Sequence, residues 1–549
     1  MWHAITANDF INFTYDQAGR LATVTDAAGT RTLTYNDDST LASATVPYIL
    51  NHKVEYGYDT LGRRSSMSLL NNTTPVSATS YTYDGMSRLA TVGDGTNTAT
   101  YTRAPGSNLL TNTAITNGAN TVLNKTQTYD NLNRLTQISN TPLGATQSVA
   151  KSYSYTYNDK DQRTKITFAD GSYWDYTYDD KGQVTGGVKK DASGVAIPGF
   201  AFGYNYDDIG NRLWAEQGMP LMHYTYTSNN VNQYTQMTVP GYIPVTGKAS
   251  TDAKVTVVKG SDGSVVTPTR SGEYFSTTMT VDNSSSKVTE NLTINAVKYD
   301  AAQDKDIVAT ENRTATVNST PQSFTYDDDG NMLTNGDWTY TWNGENRMIS
   351  AEKSDQKLEF IYDYMGRRFS KKVYTGSTGN WTLASEQKFV YDGYTQIAEF
   401  NGSDALQKSY LRDEGILLAI TDANLSATYY YMYDGNKNIV GLVDVSGNLK
   451  ASYEYDPFGK TLTKSGDYAS VNPFRFSSEF HDDKTDLVYY NYRYYLPELG
   501  RWTKRDPIKE RGGVNLYGML DNDPVSKWDE FGLESPILKF NYIITLFAK

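Results

Sequence analysis

Tyr173-Trp-Asp-Tyr-Thr-Tyr178-Asp-Asp-Lys-Gly182 is the stretch on which the fold turns. Its first six residues alternate, and a period of two places the aromatic rings on one face of an extended strand. The Asp that follows Tyr178 offers a side-chain acceptor to a tight turn, and Gly182 three residues on tolerates positive φ. A return strand then begins. The unit is a β-hairpin with one aromatic face. A lone hairpin is unstable in water, so neighbouring units must pair into a longer sheet.

The same unit recurs along the chain. Tyr15-Asp-Gln-Ala-Gly-Arg20, Tyr58-Asp-Thr-Leu-Gly-Arg63, Tyr83-Asp-Gly-Met-Ser-Arg88 and Tyr129-Asp-Asn-Leu-Asn-Arg134 precede it. Tyr206-Asp-Asp-Ile-Gly-Asn-Arg212, Tyr326-Asp-Asp-Asp-Gly-Asn-Met332 and Tyr362-Asp-Tyr-Met-Gly-Arg367 follow, with looser copies at Tyr391, Tyr433 and Tyr455. Spacing is irregular, mostly about 20 to 45 residues. No stretch sustains a 3.6 period, and Gly, Thr and Asn recur too often for helices. The fold class expected is all-β. At each repeat, Tyr and Asp are read as strand packing and turn capping.

Composition narrows the chemistry. Tyrosine supplies 45 residues and glycine 43 of 549, and cysteine is absent, which removes disulfides and thiolate metal sites. The four histidines (His3, His52, His223, His481) are scattered, so no metal site and no cofactor are expected. A net charge of −12 argues against nucleic acid as a partner. The N-terminus lacks the basic and apolar regions of a signal peptide. The apolar end, Pro536-Ile-Leu-Lys-Phe-Asn-Tyr-Ile-Ile-Thr-Leu-Phe547, is too short to span a bilayer.

Between Val239 and Gln322 the Tyr-Asp pattern lapses. Val, Thr and Ser alternate instead in Ala253–Val258, Tyr274–Val281 and Val288–Val297, separated by Gly260-Ser-Asp-Gly263, Ser271-Gly-Glu273 and Asp282-Asn-Ser-Ser-Ser286. Short strands so spaced predict an inserted Ig-like β-sandwich over 239–322.

The Tyr-Asp-x-x-Gly-Arg series resembles the RHS/YD-repeat family of bacterial toxins and surface proteins. The ordered set near the end makes the resemblance specific. It runs through Tyr455-Asp-Pro-Phe-Gly459, Phe474-Arg-Phe-Ser477, Leu487-Val-Tyr-Tyr-Asn-Tyr-Arg-Tyr-Tyr495, Pro497-Glu-Leu-Gly-Arg-Trp502, Arg505-Asp-Pro507, Gly513-Val-Asn-Leu-Tyr517, Asn522-Asp-Pro524 and Trp528-Asp-Glu-Phe-Gly-Leu533. It resembles the RHS-associated core domain. The resemblance implies repeats wound as a spiral β-sheet into a hollow shell, with the core segment plugging one end from inside. The expected division is shell over 1–238 and 323–454, insert over 239–322, core over 455–533 and a variable tail over 534–549.

The resemblance also implies self-cleavage by an aspartyl dyad after the closing Leu. Carried over by position, the dyad is Asp506 and Asp529, the scissile bond is Leu533–Glu534, and Arg505 supports a carboxylate or orients the strand. Two close carboxylates share one proton, so one activates water while the other polarises the carbonyl. Two positions depart from the family: Glu530 stands where members usually carry Pro, and Lys509 where many carry Gly. The 16 residues after Leu533 are too few for a folded toxin domain. The expectation is therefore a shell whose partner is its own tail, a truncated or cargo-less relative of polymorphic toxins. A secretion-system or toxin-complex partner and a secreted or cell-surface bacterial location come with the resemblance. The alternative is a non-enzymatic surface protein that binds carbohydrate or other cells.

Other chemistry is not supported. Gly459-Lys-Thr461 ends like a P-loop, but position 454 is Glu. Phe480-His-Asp-Asp483 reads as a hairpin turn, and Asp304, Asp306 and Glu311 lack the ligand series of a calcium loop.

Overall fold

The computed structural model describes residues 10–144, 150–218, 222–413 and 415–533. Among them, 34 strands form one antiparallel sheet in which each strand pairs with the next along the chain. At Tyr234–Met237 the ladder continues directly to Gln322–Tyr326, so the insert loops out between two paired strands.

The repeat hairpins explain the motif. In the first, Asp16 N–H donates to Arg20 O at 2.8 Å and Gly19 N–H to Asp16 O at 3.0 Å, with Gly19 at φ 78°. This is the three-residue loop whose left-handed third residue makes a bulge. Asp16 Oδ1 accepts the amides of Ala18 and Arg20, and Oδ2 accepts Arg20 Nε. The pattern repeats at Asp59, Asp84, Asp130 and Asp363 with Arg. Gln183 or Asn takes the place of Arg at Asp179, Asp207, Asp327 and Asp434.

The Tyr reaches backwards. Tyr178 Oη donates to Arg163 O at 2.7 Å, Tyr206 Oη to Val184 O at 2.8 Å and Tyr455 Oη to Ile439 O at 2.6 Å, each carbonyl lying just past the preceding turn. Each hydroxyl thus ties one hairpin to the one before it. The pairing register also shifts at the Tyr in repeat after repeat, as at Thr156/Tyr157, Thr177/Tyr178 and Met432/Tyr433. A bulge bends its strand and increases local twist, and a bulge at one position of every unit curls the whole sheet.

The curl brings the two halves of the sheet face to face. Tyr48 Oη donates to Phe389 O, Tyr101 Oη to Asp413 Oδ2, Tyr430 Oη to Asn97 Oδ1, and Lys189 Nζ pairs with Glu454. Aromatic side chains fill the interior, with Tyr155, Trp174, Tyr204, Phe360 and Tyr431 in one core cluster. A cavity of about 660 Å³ remains between the walls. Thr pairs such as Thr82–Thr91 and Thr128–Thr136 lie on the solvent side.

The insert is a three-stranded and a four-stranded sheet enclosing their own core of Ile243, Val245, Val257, Phe275, Met279 and Leu292. The segment Phe480–Asp482, Leu487–Tyr490, Arg493–Leu496 and Arg501–Trp502 forms a separate small sheet. Repeat turns ring this segment and the chain that follows it. Arg163 Nη1 donates to Val525 O, Asn522 Nδ2 to Gly210 O, Arg501 Nη2 to Asn232 O, Tyr517 Oη to Gly330 O and Ser478 Oγ to Lys437 O.

Candidate active site

Arg493 starts the return strand of the hairpin Leu487–Tyr490/Arg493–Leu496, directly opposite Tyr490. Its guanidinium is sealed from solvent and stacks 4.0 Å over the Trp502 ring. Two carboxylates meet it there. Asp506 Oδ2 lies 2.9 Å from Arg493 Nη2, and Asp529 Oδ2 lies 3.9 Å from the same nitrogen. Residues 23 positions apart in the sequence thus share one buried cation.

Local turns aim both carboxylates. Asp506 Oδ1 accepts the Ile508 amide at 2.9 Å, and its backbone carbonyl accepts the Lys509 amide at 3.0 Å, closing a turn over Pro507. Lys509 takes φ 58° in that turn, the left-handed region that Gly enters without strain. Gly512 then packs against the carboxylate: a Cβ there would stand 2.3 Å from Asp506 Oδ2. Asp529 Oδ1 accepts the amides of Phe531 and Gly532, both at 3.0 Å, which folds the closing block back on itself. The Phe531 carbonyl accepts the Tyr492 amide at 3.1 Å.

The same arginine reaches the end of that block. Arg493 Nε donates to Gly532 O at 2.5 Å, one residue before the expected scissile carbonyl. Leu533 is half-buried, while Glu534 and the tail to Lys549 lie outside the described residues. Asp506 Oδ2, Asp529 Oδ2 and Arg493 Nη2 are all buried and none has a well-aligned hydrogen bond. The 2.9 Å contact is thus a close ion pair off the hydrogen-bonding axis.

Burial pushes the Asp506 carboxyl above the ordinary carboxylate range. The Arg493 charge and the Ile508 amide oppose that rise, and the Asp529 charge adds to it. Lys504, buried and donating to Asn346 O at 2.6 Å, is lowered to about 7 by burial and by the Arg493 and Arg347 charges.

Asp506 and Asp529 are therefore brought together. Arg505 is not with them: it lies against the Gly330 turn, where a Cβ would meet its Nε at 2.6 Å. Arg493 is the cation at the carboxylates, and sequence reasoning assigned it no role. An arginine inside a run of buried aromatics needs an anion from elsewhere in the fold, and that is the signal it carried. Phe480–Asp482 pairs with Leu487–Tyr490 across a turn, as the hairpin reading of His481 expected. Among the described residues no cluster of metal-capable side chains occurs. No helix among them is long and apolar enough to cross a membrane.

The chain is similar in part to several known proteins. The family model of the teneurin YD-shell matches residues 281–525. A tRNA3(Ser)-specific nuclease WapA of Bacillus spizizenii is 29% identical over 282 residues, covering 49% of this chain and 11% of that protein. Toxin subunit YenC1 of Yersinia entomophaga is 27% identical over 219 residues, covering 36% of this chain and 22% of that protein. The crystal structure of TcdB2-TccC3-Cdc42 is similar over 95% of this chain and 27% of its own, at 16% identity and a TM-score of 0.42. The chain spans about a tenth of the length of the nuclease it matches.

Proposed function

We propose that this chain, an RHS/YD-repeat shell protein by its motif series, its curled antiparallel sheet and its match to the teneurin YD-shell, cleaves itself at Leu533–Glu534 through Asp506 and Asp529. The observation that carries the reading is the dual engagement of Arg493, which holds the Gly532 carbonyl through Nε and faces both carboxylates through Nη2. One side chain thereby ties the reacting strand to the acid pair.

The roles follow from the surroundings. Asp506, raised by burial, carries the proton and donates it to the scissile carbonyl oxygen. Asp529 takes a proton from water as the water oxygen attacks the Leu533 carbonyl carbon. Collapse of the tetrahedral species expels the Glu534 amine, which collects a proton from the pair. The products are a Leu533 carboxylate and a new amino terminus at Glu534. The strand is tethered four residues from Asp529, so no binding step is needed. The polypeptide that follows Leu533 is then the leaving group of the cleavage. In this reading the shell is part of a toxin assembly, as the name of the relative toxin subunit YenC1 suggests for that protein.

A second reading rests on the same ion cluster. A fully buried Arg493 paired at 2.9 Å to Asp506 suits a staple that closes the core segment without chemistry. The two separate on a fusion carrying a folded reporter after Lys549. Wild type should release the reporter, and the Asp506→Asn and Asp529→Asn forms should retain it. Retention in wild type, or release from Asp506→Asn at the wild-type rate, leaves only the staple.

A further inference from the structure

The insert ends in an open strand edge. Lys305–Val317 pairs along its full length with Val288–Asp300, without a register break. It is the outermost strand of the four-stranded sheet, and among the described residues no strand pairs with its other side. Residues 305–314 are all exposed. Ile307 and Val308 are 46% and 57% accessible, large aliphatic side chains standing in water. The stretch contains no Pro and no Gly. A long edge strand without a register break or a Pro offers its free amides and carbonyls to another strand, and its charges at Lys305, Asp306, Glu311 and Arg313 decide which strand fits.

We propose that this edge pairs antiparallel with the same edge of a second copy of the chain, on a two-fold axis at Val308. The side chains select both partner and register. An axis normal to an antiparallel ladder passes through a residue pair, so one residue must face its own copy. An axis at Glu311 or Arg313 sets like charges against each other, an axis at Ala309 sets Lys305 against Arg313, and an axis at Thr310 pairs no opposite charges and sets Ile307 against Arg313. An axis at Asn312 brings Glu311 to Arg313, but it carries the ladder onto Val317, which is buried in the sandwich core. At Val308 the pattern complements itself. Val308 meets Val308, Ile307 meets Ala309, Asp306 meets Thr310, and Lys305 meets Glu311 on both sides of the axis.

In this arrangement the aliphatic centre is covered and a charge pair closes each end. Among the described residues Glu311 pairs with Arg313 alone, on its own strand, and both are more than half exposed, so Glu311 is open to a second cation. Two four-stranded sheets become one continuous sheet of eight. The contact is small, so association is weak and dependent on concentration. It is independent of the dyad and of cleavage.

Sedimentation velocity of the full chain over a range on the order of 1 to 100 µM tests it. Wild type should move from monomer towards dimer across that range. Val308→Lys, which sets two ammonium groups face to face, and Lys305→Glu, which opposes Glu311, should each weaken dimerisation about tenfold or more. The double variant Lys305→Glu with Glu311→Lys exchanges the charges and should return to within about threefold of wild type. All three positions are exposed, and matching circular dichroism spectra confirm the fold. A wild type that stays monomeric overturns the proposal. So does a Val308→Lys form that dimerises like wild type, or a charge exchange that fails to restore what Lys305→Glu loses.

Discussion

Arg493 Nη2 stands 2.9 Å from Asp506 Oδ2 with both side chains closed to solvent. Removing the cation leaves the buried acid pair, and the negative charge it shares, without a counter-charge and frees the Gly532 carbonyl. Arg493→Met should therefore cost about 3–5 kcal/mol of stability, read by urea denaturation. Arg493→Lys keeps the charge but loses the fork that spans carbonyl and carboxylates. It should retain more of the stability than Arg493→Met while losing cleavage.

The repeat motif predicts unequal costs for the same substitution. Asp363 and Arg367 form a pair whose side chains are 1% and 4% exposed. Asp363→Asn leaves that guanidinium buried without its partner and should cost about 3–5 kcal/mol. Asp16 makes the same bonds to Arg20 with both side chains more than a quarter exposed. Asp16→Asn should leave the urea midpoint nearly unchanged, because water replaces what is lost.

Asp523 supplies a pH signature. It is buried, and burial raises its carboxyl from 3.8 to about 6 against the pull of the Ser526 amide and the Lys527 charge. The folded state therefore prefers the protonated form. That contribution is complete below about pH 4 and is lost as pH rises through about 6, amounting to about 3 kcal/mol. Asp523→Asn cannot titrate, so wild type should lose stability relative to this variant between pH 4 and pH 7. Equal pH profiles for the two proteins in urea unfolding would refute the assignment.

Two positions beside Asp506 should respond in opposite senses. Lys509 is held at φ 58°, so Lys509→Gly should stabilise by up to about 1 kcal/mol in thermal unfolding, with cleavage intact. Gly512→Ala places a methyl 2.3 Å from Asp506 Oδ2 and must displace the carboxylate. A shift on the order of 1 Å should slow cleavage about 100-fold, followed by the appearance of the shortened chain with time.

These residues also show what a sequence conveys. Alternation before Tyr178, the capping Asp179 and the left-handed Gly182 are local, and the hairpins they specify could be read directly. The two small sheets of the insert follow from the lapse of the Tyr-Asp pattern. The bond from Tyr178 to Arg163 O was not legible, because it depends on how one hairpin lies against the last. The bulge at each Tyr follows from the three-residue loop, yet its consequence, a sheet curled until Tyr48 meets Phe389, is a sum over many units. Asp506 and Asp529 came from resemblance to a family. Arg493 and Gly512 came only from the fold, since their neighbours in space are remote in sequence or joined by an irregular turn.

Intact mass of the purified chain tests self-cleavage most directly. Wild type should give a polypeptide ending at Leu533 and a separate peptide of 16 residues, Glu534 to Lys549. The Asp506→Asn form, prepared identically, should give the mass of all 549 residues. A wild-type chain recovered uncut, or an Asp506→Asn chain cut at the same bond to the same extent, would contradict the account.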